Sequence, residues 1–113
     1  MTKYYSRSTI CNQGHKHASK KEANRCDELT LLERAGVIMA LKQQEKFSLQ
    51  KGFKYRGKTI RPITYRADFS YWDKEKGYFV VEDVKGFKTQ VYRLKKKMFL
   101  NKLKDKKIEF IET

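Results

Sequence analysis

A small set of ionisable residues at one end of a predicted β-hairpin is the part of this sequence best suited to chemistry. Two runs rich in aromatic and β-branched residues, 61–71 and 79–85, flank a polar turn at 73–77. That pattern is typical of two strands joined by a tight connection. The ionisable residues concerned are Asp68 in the first strand, and Asp83 and Lys85 at the end of the second.

Strand side chains alternate between the two faces of a sheet, so Asp83 and Lys85 share one face while Glu82 points to the other. Two carboxylates and a lysine at one strand end are costly to bury without a purpose. Magnesium is typically held by one or two carboxylates together with substrate phosphates. The lysine could then position or help deprotonate an attacking water. The alternative is a solvated ion pair on a strand edge.

A third carboxylate, Glu22, lies in the first turn of a predicted helix. Ser19 and Glu22 match a capping box, and the helix is predicted to run to about Ala35 and to stop at Gly36. Helical spacing places Glu22 on or beside the apolar stripe that contains Cys26. Glu22 can therefore serve as a helix cap, as an acidic residue aimed at the metal site, or as both.

The remaining pattern predicts a single domain over residues 1–113, with a basic N-terminal arm at about 1–18. The whole order is helix, three strands, helix, strand. The first core strand is expected around Phe47 and Leu49, with Gln44 just before it, and residues 51–60 read as a basic loop or hairpin tip. The second helix is predicted from Gln90 to about Leu103, with Thr89 as its cap, and a last strand is predicted at 108–111. The predicted apolar stripe of this helix consists of Val91, Leu94, Met98 and Leu103, with Tyr92 and Phe99 beside them.

The charge balance favours a polyanionic partner. The chain has 27 basic and 13 acidic residues, a net charge of +14, which suits nucleic acid but is also found in ribosomal and membrane-surface proteins. Residues 88–107 contain nine basic residues and one acidic residue, although lysine runs are usually solvated faces. The start of the second helix could also contact phosphate. The candidate DNA contacts are Lys20, Lys88, Thr89, Tyr92, Arg93, Lys95, Lys96 and Lys97.

Two cysteines and two histidines near the N-terminus raise a zinc hypothesis. They are Cys11, His15, His17 and Cys26. Their spacing matches no standard zinc module, so the alternative is two reduced thiols and two ordinary histidines. No run of 18 apolar residues and no N-terminal apolar signal region is present, which predicts a cytoplasmic protein without a membrane partner.

Several motifs together resemble a known family. Asp68, followed by Asp83-Val84-Lys85 on the next strand, resembles the PD-(D/E)XK nuclease motif, with Ala67 where that motif often has proline. Further segments, spread over residues 17–99, resemble a family of small phage-borne nucleases with this fold. They are H-x-S-x-x-E-A at 17–23, E-R-A-G-V-I at 33–38, L-x-x-Q-x-x-F at 41–47, Y-x-A-D-F at 65–69, V-E-D-V-K-G at 81–86 and the basic stretch 88–97. The same order of Glu, Asp and Asp-x-Lys is similar to archaeal Holliday-junction resolvases and to the endonuclease subunit of Tn7-like transposases.

The resemblance implies a restriction-endonuclease-like α/β fold, with an αβββαβ core and a mixed sheet between two helices. It implies a metal-dependent DNA endonuclease, acting on duplex or branched DNA, with Mg²⁺ as cofactor and Mn²⁺ able to replace it. Junction cleavage would suit a homodimer. The implied ligands are Asp68, Asp83, the Val84 carbonyl and Glu22, with Lys85 activating water.

Gln44 is a further candidate, for orienting water or phosphate, or else a polar residue at a strand edge. The rival function is a non-catalytic nucleic-acid-binding protein, such as a recombination accessory or a ribosomal protein. That class explains the charge of the chain but not the carboxylates and the lysine at one strand end.

Overall fold

A four-stranded mixed sheet with two helices forms the body of the protein. The computed structural model describes residues 8–84 and 88–113. Their elements, in chain order, are β1 (Thr9–Ile10), β2 (Lys16–His17), α1 (Lys20–Arg34), β3 (Ile38–Gln50), β4 (Phe53–Tyr55), β5 (Lys58–Ile60), β6 (Ile63–Asp73), β7 (Tyr78–Asp83), α2 (Gln90–Leu103) and β8 (Ile108–Glu112).

The order of strands in the main sheet is β3-β6-β7-β8. The first two pairings are antiparallel, and β8 runs parallel to β7 after the crossover through α2. Two small hairpins, β1–β2 and β4–β5, are separate two-stranded sheets. Without these hairpins the order is αβββαβ, so the predicted α/β class, mixed sheet and parallel crossover are confirmed.

The sheet separates two apolar clusters. One contains Cys26 and Leu29 of α1, and the other contains Phe99 and Leu103 of α2. Val80 and Val81 are successive residues of β7, so they face opposite sides of the sheet. They belong to different clusters, which places the two helices on opposite faces.

Both helices begin at the predicted caps. The Ser19 hydroxyl accepts the backbone N–H of Glu22, and the Thr89 hydroxyl accepts the backbone N–H of Tyr92. Such caps stabilise a helix by about 1 kcal/mol each. Gly36, with φ of 80°, follows the end of α1, in the left-handed conformation that favours glycine.

The predicted apolar stripe of α2 is wrong in part. Val91 and Leu94 are 62% and 60% exposed, whereas Phe99 and Leu103 are buried and Tyr92 is half-buried. The aromatic rings determine this orientation, because Phe99 packs on the rings of the sheet, with ring centroids 4.8 Å from Tyr65. Burying aromatic surface stabilises more than burying Val91 and Leu94 would.

One further expectation is corrected, and one of the two alternatives for residues 51–60 is confirmed. The first core strand begins at Ile38, well before Phe47, so Gln44 lies inside β3 rather than before it. The segment at 51–60 forms the β4–β5 hairpin, with Arg56 and Gly57 at its turn.

No helix in the described part of the chain is long and apolar enough to cross a membrane.

The N-terminal arm ends in the β1–β2 hairpin, and contacts of both its strands with α1 place it against that helix. Residues 1–7 of the predicted arm lie outside the described residues. The same is true of Lys85, the proposed water-activating lysine, and of the end of the strand predicted to reach it.

Candidate functional site

Three elements bring their carboxylates to the point where the pairing of β6 with β7 ends. Glu22 comes from the first turn of α1, Asp68 from the middle of β6 and Asp83 from the last position of β7. The last paired residues of β6 and β7 are Phe69 and Glu82. Asp68 precedes Phe69 and Asp83 follows Glu82, so both aspartates lie one position beyond the last pair of the two strands.

An irregularity of β6 orients Asp68. Tyr65 and Ala67 pack in the α2 cluster, whereas Phe69 and Tyr71 pack in the α1 cluster. The alternation of faces therefore changes phase at Asp68, which is 7% exposed. Irregular strand positions are common beside active sites, because they redirect a side chain.

Gln44 lies across from Asp68 on β3, where the backbone is also irregular. The pairs Gln43–Phe69 and Glu45–Ala67 on either side keep the same register, and Gln44 has φ of 57°. This left-handed conformation is strained for a residue other than glycine, by about 1–3 kcal/mol. The Gln44 amide donates to Glu22 Oε2 at 3.3 Å and to Asp68 Oδ1 at 3.4 Å, so it bridges two carboxylates.

Backbone groups hold the two aspartates. The N–H of Asp68 donates to Asp83 Oδ1 at 3.0 Å, and the N–H of Val84 donates to Asp68 Oδ2 at 2.8 Å. Asp83 is fully buried and Val84 is 8% exposed. Both carboxylates are therefore oriented by the main chain of the neighbouring strand.

Glu22 is buried between His17 and the aspartate. His17 Nδ1 lies 2.7 Å from Glu22 Oε2. Burial raises the pKa of the Glu22 carboxyl, the hydrogen bond with His17 opposes that rise, and the nearby Asp68 carboxylate adds to it. For His17, burial alone would lower the pKa, but the hydrogen bond with Glu22 and the nearby Cys11 thiol outweigh it and the pKa is raised.

Glu82 lies on the opposite face from Asp83, as predicted. It is fully buried and bound by Arg25, whose Nη2 donates at 3.0 Å and whose Nε donates to the other oxygen. The Tyr71 hydroxyl donates to Glu82 at 2.8 Å and the Thr113 hydroxyl at 3.0 Å. Glu82 therefore links α1, β6 and the segment after β8 in one buried network.

The predicted DNA contacts of α2 lie around a groove of about 490 Å³. Its lining residues are Lys88, Tyr92, Arg93, Lys96, Lys97, Leu100 and Glu112. Lys96 Nζ donates to Glu112 at 2.9 Å and Lys88 Nζ at 3.3 Å, and the Tyr92 hydroxyl also donates to Glu112. These donors lower the pKa of the Glu112 carboxyl, the Tyr92 hydroxyl most, to about 2.

The other predicted contacts are distributed differently. Thr89 caps α2 and is exposed, Lys20 is exposed at the start of α1, and Lys95 is half-buried and does not line the groove. The structure therefore brings Lys88, Tyr92, Arg93, Lys96 and Lys97 together, but not Lys20 or Lys95.

Glu112 is the site residue that the sequence interpretation missed. It pairs with Asp83 in the parallel β7–β8 ladder. Burial, the hydrogen bond to Glu112 and the nearby Asp83 raise the pKa of the Tyr92 hydroxyl. The signal was strand periodicity, because Ile108 and Phe110 pack in the α2 cluster and Glu112 is the next residue on that face.

Fold and site together define a mixed α/β protein with a buried carboxylate cluster beside a basic groove. The chain belongs to the family described as protein of unknown function (DUF1064), whose sequence profile matches residues 1–113. No curated protein and no solved structure gives a significant match.

Proposed function

We propose that this protein is a metal-dependent DNA endonuclease that hydrolyses phosphodiester bonds. The observation that carries the proposal is the meeting of Glu22, Asp68 and Asp83 at one strand end, together with the Gln44 amide. These four residues are up to 61 positions apart in the chain (83 minus 22).

The chemistry of the donors fits a hard divalent cation. The cluster offers only oxygen ligands, and the Glu22 and Asp68 carboxylates are close enough to interact directly. Among residues 8–84 and 88–113, no lysine or arginine forms an ion pair with either of them. A Mg²⁺ ion, or Mn²⁺ in its place, would offset their repulsion and would polarise a phosphate or a bound water.

Asp68, Asp83 and Glu22 would hold the ion, with the Val84 carbonyl as a further ligand. Gln44 would keep the Glu22 and Asp68 carboxylates at a fixed separation. The groove residues Arg93 and Lys97 would bind the DNA backbone beside the site, since lysine and arginine contacts to phosphate supply affinity without reading sequence. Lys85 would position the attacking water.

Nicking of supercoiled plasmid, and cleavage of labelled duplex and branched DNA, tests this function. Wild-type protein should cut with Mg²⁺ or Mn²⁺, stop on addition of EDTA, and recover when Mg²⁺ is restored in excess. Asp68→Asn should lose activity at least about 100-fold, a loss of some 2.7 kcal/mol in transition-state stabilisation. Glu75→Gln makes the same charge change on an exposed turn residue of the same hairpin and should cut normally.

A different result of the same cleavage assays would contradict the proposed nuclease activity. Tight binding to DNA that does not require metal, with no cleavage of any of these substrates by wild-type protein, would favour a non-catalytic nucleic-acid-binding protein.

A further inference from the structure

A second cluster of potential ligands lies where the β1–β2 hairpin meets α1. Cys11 and His15 come from the hairpin turn, His17 ends β2, and Cys26 lies in the second turn of α1. Their ligand atoms all lie within 4.8 Å of one another. None of the four is needed as a ligand in the proposed cleavage site.

Two of the separations between these atoms match those of a tetrahedral metal site. With Zn–S bonds of about 2.3 Å and Zn–N bonds of about 2.0–2.1 Å, two sulfur ligands are about 3.8 Å apart, and a sulfur and a nitrogen about 3.6 Å. The Sγ atoms of Cys11 and Cys26 are 3.6 Å apart. His15 Nδ1 lies 3.5 Å from Cys26 Sγ. Both cysteines are free thiols, so the sulfur distance does not reflect a disulfide.

Backbone hydrogen bonds within the turn bring the two hairpin ligands together. The N–H of Cys11 donates to the His15 carbonyl at 2.9 Å, and the N–H of Gly14 donates to the Cys11 carbonyl at 3.0 Å. Gly14 has φ of 85°, a conformation that a residue with a side chain would adopt only under strain. The turn is therefore closed around the first two ligands.

His17 supplies an independent indication of a ligand. Its side chain is 2% exposed, and its Nε2 atom is buried without a hydrogen-bond partner among the described residues. Its other nitrogen, Nδ1, faces the Glu22 carboxylate at 2.7 Å. Histidines that bind a metal through one nitrogen usually donate the other N–H to a carboxylate, which fixes the ring.

We propose that Cys11, His15, His17 and Cys26 bind a structural Zn²⁺ ion. Thiolate and imidazole suit zinc rather than magnesium, and four protein ligands leave no open position for substrate. Two thiolates and one Zn²⁺ have no net charge, which suits a site with three buried ligand residues. Binding through Nε2 keeps the His17 proton on Nδ1, where it donates to Glu22. The ion would thus fasten the hairpin to α1 and hold Glu22 in its orientation.

Metal analysis of purified, reduced protein tests the site. Protein purified with zinc and a reductant, then desalted, should retain about one zinc per chain. Replacing zinc by Co²⁺ should give the intense visible absorption of a tetrahedral, thiolate-bound ion. A chelator should lower Tm, and zinc, but not magnesium, should restore it.

Matched variants make the assignment specific. His15 is exposed, so His15→Ala should fold but bind zinc far more weakly, beyond the roughly 10–100-fold that loss of a supporting residue costs. Lys16→Ala changes an exposed neighbour in the same hairpin and should bind zinc like wild type. Asp68→Asn should also keep its zinc, so the result is independent of nuclease activity.

Two results would overturn the proposal. One is a folded, reduced wild-type protein with no stoichiometric zinc and no tetrahedral Co²⁺ spectrum, including the case in which mass analysis finds a Cys11–Cys26 disulfide instead. The other is equal zinc affinity in His15→Ala and Lys16→Ala.

Discussion

The backbone N–H of Asp68 donates a hydrogen bond of 3.0 Å to Oδ1 of Asp83, the residue opposite it on the neighbouring strand. One proposed metal ligand thereby orients the other through the main chain. Rigid orientation of this kind matters because catalytic groups lose much of their effect when displaced by about 1 Å. The fully buried Asp83 side chain has little room to adopt another orientation.

Asp83→Asn should therefore separate binding from cleavage. The amide keeps the shape and one acceptor oxygen for the Asp68 N–H, so the fold should survive. Cleavage should fall at least about 100-fold, while DNA binding without divalent metal should stay equal or become tighter, because a negative charge near phosphate is removed. Fluorescence anisotropy and plasmid nicking measure the two effects, with Glu75→Gln as the control. Normal cleavage by Asp83→Asn would mean that the ligand assignment is wrong.

The Arg25–Glu82 pair should matter for stability rather than for cleavage. Arg25→Ala leaves the fully buried Glu82 carboxylate without its guanidinium partner, and breaking such a pair costs about 3–5 kcal/mol. Glu82→Gln should also destabilise, yet its cleavage rate per folded molecule should remain near that of wild type, because Glu82 lies on the face opposite Asp83. Urea unfolding and nicking assays check both points. Loss of cleavage in a folded Glu82→Gln protein would show that the strand faces are assigned incorrectly.

Gln44 offers a test of strain at the site. Gln44→Ala and Gln44→Gly both remove the amide that bridges Glu22 and Asp68, so both should reduce cleavage. Only glycine relaxes the backbone at φ of 57°. The glycine variant should therefore unfold with a free energy about 1 kcal/mol higher than that of the alanine variant. Equal stability of the two variants would indicate that position 44 is not strained.

The groove along α2 should contribute to DNA affinity through counterion release. Replacing Arg93 and Lys97 by Gln should lower the slope of log K against log salt by up to about 1.8 on duplex DNA, at about 0.9 per phosphate contact. Lys95→Gln, which removes a charge away from the groove, is the matched control and should change the slope little. If the control lowers the slope as much as either groove residue does, the DNA follows a different face of α2.

Glu112 should give a pH-dependent contribution to stability. Its pKa is lowered from 4.5 to about 2, so the folded state favours the ionised carboxylate. The resulting stabilisation is present above about pH 4.5 and is lost as pH falls toward 2. Glu112→Gln should therefore unfold more easily than wild type at pH 7, and the difference should disappear over that acid range. Thermal unfolding at a series of pH values measures it, and a pH-independent difference would contradict the assignment.

Local patterns predicted much of the fold. Ser19 and Thr89 were identified as caps from short motifs, and the order of helices and strands along the chain followed from hydrophobic runs separated by turn residues. The stripe of α2 was predicted incorrectly at Val91 and Leu94, because helical periodicity does not distinguish them from Leu103. The aromatic partners of Phe99 across the sheet decide the orientation of the helix. The left-handed backbone conformation of Gln44 could not be predicted, because the residue types around it are ones that adopt ordinary strand conformations.

Short sequence motifs were sufficient to identify the carboxylates of the candidate site, but not the contacts around them. Asp68, Asp83 and Glu22 were each recognisable from their immediate neighbours. Other contacts join residues that are distant in the sequence, and only the folded chain brings them together. Glu82 and Arg25 are 57 positions apart, and Glu112 contacts residues of α2 and the segment before it. The same holds for the Cys11 and Cys26 thiols, whose sequence spacing fits no standard zinc module.

The parallel pairing of β8 with β7 makes the candidate site depend on local opening of the edge strand β8. β8 is an edge strand of five half-buried residues, and it joins β7 only after the chain has closed the loop through α2. Edge elements of this kind open more often than the body of a domain, so their amide hydrogens exchange earlier. Each opening of β8 removes Glu112 from Lys88, Tyr92 and Lys96 and exposes Asp83 to solvent. We therefore expect the assembled site to open through fraying of this edge strand more often than through global unfolding.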